Sequence, residues 1–99
     1  MNNTFEKVCI VGLGLIGGSI GLAIKRLNIS NQITGYARSN STLERAIELG
    51  LVDSVKDNLK DAVNNSDLVI LATPLSTFRE LVEEMNPFLK KGSSLQLIL

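Results

Sequence analysis

The chain has 99 residues, enough for one domain or part of one. Hydrophobic residues make up 44% and charged residues 20%, ordinary for a globular protein, and ten basic side chains balance ten acidic ones. That balance removes the electrostatic case for nucleic acid or a membrane surface as partner. A single cysteine rules out an internal disulfide and fits a reducing, cytoplasmic setting. There is no histidine, so the commonest general base and metal ligand is missing from these residues.

Residues 1–6 read as a polar lead-in. The stretch 7–25, KVCIVGLGLIGGSIGLAIK, follows, and holds five of the eight glycines. Residues 7–11 are apolar with β-branched side chains, as in a strand buried on both faces, with Cys9 as a small buried hydrophobe. Gly12, Gly14 and Gly17 come next in G-x-G-x-x-G spacing.

Three readings of this stretch compete. One is a strand–turn–helix that holds a dinucleotide pyrophosphate. In it Leu15 and Ile16 would offer backbone N–H groups at a helix start. The second is a membrane helix, since 8–24 is uncharged, flanked by lysine, and has glycines at G-x-x-x-G spacing. The third is a signal segment. Seventeen uncharged residues with five glycines are marginal for a span. No small-residue cleavage site follows, so the nucleotide turn is favoured, provided a βαβ unit surrounds it.

The downstream pattern supplies that unit. Residues 15–28 read as a helix with Ile16, Ile20, Ala23, Ile24 and Leu27 at helical spacing. A loop at 30–32 and a strand at 33–37 follow. Ser41 and Glu44 form a capping-box pattern for a helix with Leu43, Ala46, Ile47 and Leu49 inward and Gly50 as its stop. A short strand at 51–55 leads to a helix capped by Asp57, carrying Leu59, Ala62 and Val63. Residues 68–72 read as another buried strand. An amphipathic helix with Leu75, Phe78, Leu81, Val82 and Met85 comes next, and 94–99 reads as a last strand. Alternating strands and helices predict an α/β fold, a parallel Rossmann-like sheet with helices on both faces.

Ligands of such sheets bind beyond the carboxyl ends of the strands. The first end is the glycine turn. At the second, Ala37 stands where a carboxylate accepts the ribose 2′-OH of NAD, and Arg38 and Ser39 follow. A planar, permanently charged donor suits a 2′-phosphate, which points to NADP, with NAD still possible. The alternative is a solvated surface arginine. At the third end, Thr73 and Pro74 either line the nicotinamide ribose or serve as N-cap and first residue of the next helix. Asp53, Asp57 and Asp61 read as caps and surface charges, and no metal ligand set or catalytic nucleophile–base pair is recognisable.

Together GLGLIGGSIGLAIK at 12–25, GYARS at 35–39, AIELGLVD at 46–53 and LVILATPLS at 68–76 resemble the prephenate/arogenate dehydrogenase family. The resemblance implies oxidative decarboxylation with hydride transfer to NAD(P), in tyrosine biosynthesis. It matches Gly12, Gly14 and Gly17 to the pyrophosphate turn, Arg38 and Ser39 to a 2′-phosphate site, and Thr73 and Pro74 to the nicotinamide side. The family's catalytic histidine, its Asp-Val-(Gly/Ala)-Ser segment and its helical substrate and dimerisation domain have no counterpart in 1–99. Gln96 and Leu97 also depart from the family pattern. The expectation is an incomplete dinucleotide-binding domain, truncated after about the fifth strand, that binds a nicotinamide dinucleotide without catalysing alone. Its apolar last strand, with Leu95, Leu97, Ile98 and Leu99, is expected to favour self-association.

Overall fold

The computed structural model describes residues 4–98. Parallel strands β1 (Phe5–Val11), β2 (Ser30–Tyr36), β3 (Ser54–Lys56), β4 (Leu68–Leu71) and β5 (Ser94–Leu97) form one sheet, in the order β3-β2-β1-β4-β5. Helices α1 (Leu15–Arg26), α2 (Asn40–Glu48), α3 (Leu59–Val63) and α4 (Phe78–Met85) link them. This is the expected Rossmann-like sheet.

The alternation of side chains along β1 builds both layers. Val8 and Ile10 enter one core with Ile24 of α1 and Leu43 of α2. Cys9 and Val11 enter the other with Leu59 and Val63 of α3 and Leu81 and Met85 of α4. A strand wedged between two helical layers must be apolar on both faces, as the buried part of β1, residues 8–11, is. Burial pushes the Cys9 thiol up to about 12, so it stays protonated as a small hydrophobe. Among the described residues no helix is long and apolar enough to cross a membrane.

Several boundaries differ from the sequence expectation, each for a local reason. Residues 30–32 are strand rather than loop, because β1 begins at Phe5 and pairs Phe5 with Ser30 and Lys7 with Gln32. A tight exit from α1 makes this possible. Asn28 takes a left-handed φ of 52°, while Ile29 and Asn28 donate their N–H groups to the carbonyls of Ile24 and Lys25. Helix α2 begins at Asn40, with Ser39 in the N-cap position. Ser41 therefore does not head a capping box, and its Oγ lies 2.7 Å from Ser39 Oγ. Gly50 does end α2, with φ 68°. Asn58, not Asp57, caps α3 by accepting the Asp61 N–H at 2.8 Å. Strand β3 begins at Ser54, and Leu51 and Val52 pack into the core instead.

The helical faces also differ from the expected ones. Helix α1 buries Gly17, Gly18, Gly21 and Ile24, while Ile16 and Leu27 are 59% and 66% exposed. A helix with glycines on its inner face lies too close to the sheet for an aliphatic stripe to fit beneath it. Ile47, Leu49 and Leu75 are likewise exposed, whereas Leu43, Ala46, Phe78, Leu81 and Met85 are buried.

One polar residue ties three strands together. Asp67 Oδ2 accepts the N–H groups of Glu6 at 2.8 Å and Lys7 at 3.1 Å, and Oδ1 pairs with the Lys90 ammonium. Its own carbonyl accepts the Ser94 N–H at the start of β5. The Lys90 interaction and these amide donors hold its carboxyl below the ordinary value. Strand β5 is an edge strand with Leu95 and Leu97 partly exposed. Leu99 lies outside the described residues.

Candidate functional site

The strand order reverses beside β1. The chain first builds outward through β2 to β3, then returns to place β4 on the other side of β1. Such a reversal opens a crevice at the carboxyl ends of the two central strands. Val11 is in register with Tyr36 on one side and Leu71 on the other. The segments that follow these residues therefore emerge together. All three groups predicted from the sequence, Gly12 to Gly17, Ala37 to Ser39 and Thr73 to Pro74, meet at this end of the sheet. The Gly12 N–H donates to the Tyr36 carbonyl at 2.8 Å, and the Ala72 N–H to the Val11 carbonyl at 2.9 Å.

The three motif glycines have different reasons to be glycine. Gly12 has φ +101°, and a Cβ there would lie 2.8 Å from Thr73 Cγ2 and 2.9 Å from the Ala72 oxygen. A Cβ on Gly17 would lie 1.8 Å from the Gly12 carbonyl oxygen. Turn geometry and helix–strand packing thus require both. Gly14 has φ −72°, and a Cβ there would meet no atom within 4 Å. The turn by itself does not require Gly14, which is also the N-cap of α1, a position glycine favours.

The start of α1 has the features that favour an anion. Gly14 is its N-cap and supplies no side-chain cap, and the first turn carries no acid. The first internal hydrogen bond of α1 is Gly18 N–H to Gly14 O, so Leu15, Ile16 and Gly17 have N–H groups without a helical acceptor. These groups and the positive end of the helix dipole favour negative charge. The Ser19 hydroxyl is not part of this set, since it bonds the Leu15 carbonyl at 2.8 Å. A cleft of about 510 Å³ between α1 and α2 begins at Gly14 and Leu15. Its lining is mainly aliphatic, with Arg45 as the only charge, and it lies beside the helix start rather than over the strand ends.

At the end of β2, Ala37 is half-buried against the α1–α2 core, and no carboxylate occupies its place. The Arg38 side chain is 66% exposed, with Nη2 3.9 Å from Glu80 Oε1 on the first turn of α4. At the end of β4 a 3₁₀ turn, Leu75–Thr77, separates Pro74 from α4. Thr73 is therefore not the N-cap of α4. Its Oγ1 lies 2.7 Å from Thr77 Oγ1, and its methyl abuts the position a Gly12 Cβ would take. Sequence reasoning missed both Glu80 and Thr77, because each reaches the site from a helical turn whose direction is set only by tertiary packing.

Comparison with known proteins agrees with this geometry. The family model described as "Prephenate dehydrogenase, nucleotide-binding domain" matches residues 20–96. The chain belongs to this family. It is 38% identical over 87 residues to a cyclohexadienyl dehydrogenase of Zymomonas mobilis, covering 88% of this chain and 30% of that protein. Its fold matches the crystal structure of Synechocystis arogenate dehydrogenase with a TM-score of 0.87 and 29% identity, over 94% of this chain and 32% of that one. It also matches a prephenate dehydrogenase of Aquifex aeolicus solved with hydroxyphenyl propionate and NAD+, with a TM-score of 0.85 and 27% identity, over 93% and 32% of the two chains. The chain thus spans about a third of the length of these relatives. The family match starts within α1, so the glycine turn before it rests on its own geometry.

Proposed function

We propose that this chain holds NADP for an enzyme that oxidatively decarboxylates prephenate or arogenate on the way to tyrosine. The observation that carries the cofactor reading is the open space over Gly14, where no neighbouring atom of the chain forbids a Cβ and a pyrophosphate would approach the backbone. Gly12 and Gly17 shape the turn, and the N–H groups of Leu15 and Ile16 bind the pyrophosphate. Arg38 binds the 2′-phosphate with Ser39 beside it, and Ala37 offers no carboxylate to repel it. Thr73 and Pro74 line the nicotinamide ribose. Bound there, the oxidised nicotinamide accepts a hydride.

The 99 residues contain no histidine. The resemblance assigns the proton acceptor to a histidine, so in this reading the acceptor and the substrate pocket come from outside them and these residues alone bind cofactor without turnover. The same observation supports a second reading, a non-catalytic NADP-binding module or a remnant of such an enzyme. A single buried thiol supports a cytoplasmic location. The edge strand β5, with Leu95 and Leu97 exposed, supports self-association of this chain; light scattering that shows a monomer at high concentration would rule it out.

Thermal shift separates the cofactor readings, because a ligand that binds only the folded state raises the melting temperature with its affinity. NADP is expected to give the larger shift at equal concentration. Equal or larger shifts with NAD would remove the NADP assignment.

A further inference from the structure

We infer that Thr77 is a positioning residue that holds the Thr73 hydroxyl as an acceptor for the nicotinamide half of the cofactor. The inference rests on the reading of Thr73 as a cofactor contact. Two hydroxyls and one carbonyl form a chain with a defined direction. Thr77 Oγ1 lies 2.6 Å from the Pro74 carbonyl oxygen, which can only accept, so Thr77 donates its single hydroxyl proton there. Its backbone N–H donates to the same oxygen at 2.9 Å. The proton in the 2.7 Å contact between the two hydroxyls must then come from Thr73.

Thr73 is left with lone pairs and no free proton. Its other branch is fixed as well, because Cγ2 lies against Gly12, 2.8 Å from where a Cβ would stand there. A β-branched side chain held at both branches keeps one rotamer, and Pro74 stiffens the backbone between the partners. Thr73 therefore accepts a hydrogen bond from a ribose hydroxyl or a carboxamide N–H and donates none to the cofactor. The orientation exists before the cofactor binds, so no reorganisation opposes binding.

Calorimetric titration of the chain with NADP and with 2′,5′-ADP, which lacks the nicotinamide and its ribose, tests this. Thr77→Val keeps the shape and removes the hydroxyl. It is expected to weaken NADP about fivefold, the net worth of one neutral hydrogen bond, while 2′,5′-ADP binds as to the wild type. Thr77→Ser is expected to restore NADP binding, which a purely packing role would not do. Thr77→Ala gives the same reading if the valine variant does not fold. Equal loss for both ligands, or no loss for either, would overturn the role of Thr77. If Thr73→Val leaves NADP binding unchanged, the Thr73 contact itself fails. A loss with Thr73→Val but none with the Thr77 variants fails the positioning role alone.

Discussion

The Cβ that Gly17 lacks would stand 1.8 Å from the carbonyl oxygen of Gly12. No side-chain rotation relieves a clash of this kind, because both atoms are fixed to backbone. Gly17→Ala must push α1 away from the turn. It is expected to destabilise the fold by about 2 kcal/mol or more, exceeding the roughly 1 kcal/mol that alanine gains in helix propensity. Urea unfolding measures this directly, and an unchanged or raised midpoint would show that the helix does not lie where described.

Arg38, in the loop after β2, and Glu80, on the first turn of α4, face each other at 3.9 Å, both largely exposed. So long and solvated a pair adds little to stability. Its consequence is for binding, since a 2′-phosphate on Arg38 would sit beside a carboxylate. Arg38→Ala is expected to weaken NADP by about tenfold or more, as loss of a charge-assisted hydrogen bond implies, with NAD nearly unaffected. Glu80→Gln is expected to strengthen NADP modestly. Parallel titrations with both cofactors check this, and a loss shared equally by NAD would place Arg38 elsewhere than at the phosphate.

Asp67 gives the fold a pH dependence of known sign. Its folded carboxyl lies below the ordinary 3.8, through the Lys90 interaction first and the Lys7 and Glu6 amides besides. A lowered folded value means that the stability it contributes is complete above the ordinary value and is lost as the pH falls through the folded one. Asp67→Asn is therefore expected to melt below the wild type from pH 7 down to about 3.8, with the gap closing only as the pH falls further, through the folded value. Melting curves across that range and below it decide it; a gap that stays constant throughout would mean that the carboxylate charge plays no part.

Cys9, fully buried with its thiol raised to about 12, is expected to be inert to disulfide reagents at pH 8. Only about one thiol in ten thousand would be ionised there, and none is accessible. In denaturant the same cysteine should react within the mixing time of ordinary assays. Fast labelling of the native chain would contradict the burial of β1.

Much of the fold was legible because β1 and β4 are apolar on both faces and because Gly50 marks a helix end unambiguously. The start of β2 was not, since Ser30 to Gln32 look like a loop until Phe5 and Lys7 are seen to pair with them. Capping is ambiguous in sequence where two adjacent residues compete. Asp57 and Asn58 have similar propensities, and only the direction of α3 selects Asn58. At the site, the glycine spacing and the missing carboxylate at Ala37 could be read directly. The G-x-G-x-x-G spacing also carries the expectation of a separate role for each glycine; what it does not carry is which atoms lie where a Cβ would go at Gly12 and Gly17.

Gly14→Ala tests most directly whether the turn between β1 and α1 holds a dinucleotide. The backbone there suits alanine and no atom lies within 4 Å of the added carbon, so the unliganded stability should change by about 1 kcal/mol or less. Thermal melts of both proteins, each with and without NADP, are the measurement. Similar melting temperatures without ligand are expected, with a stabilisation by NADP that the variant loses. A variant stabilised by NADP as strongly as the wild type would contradict a dinucleotide at this turn.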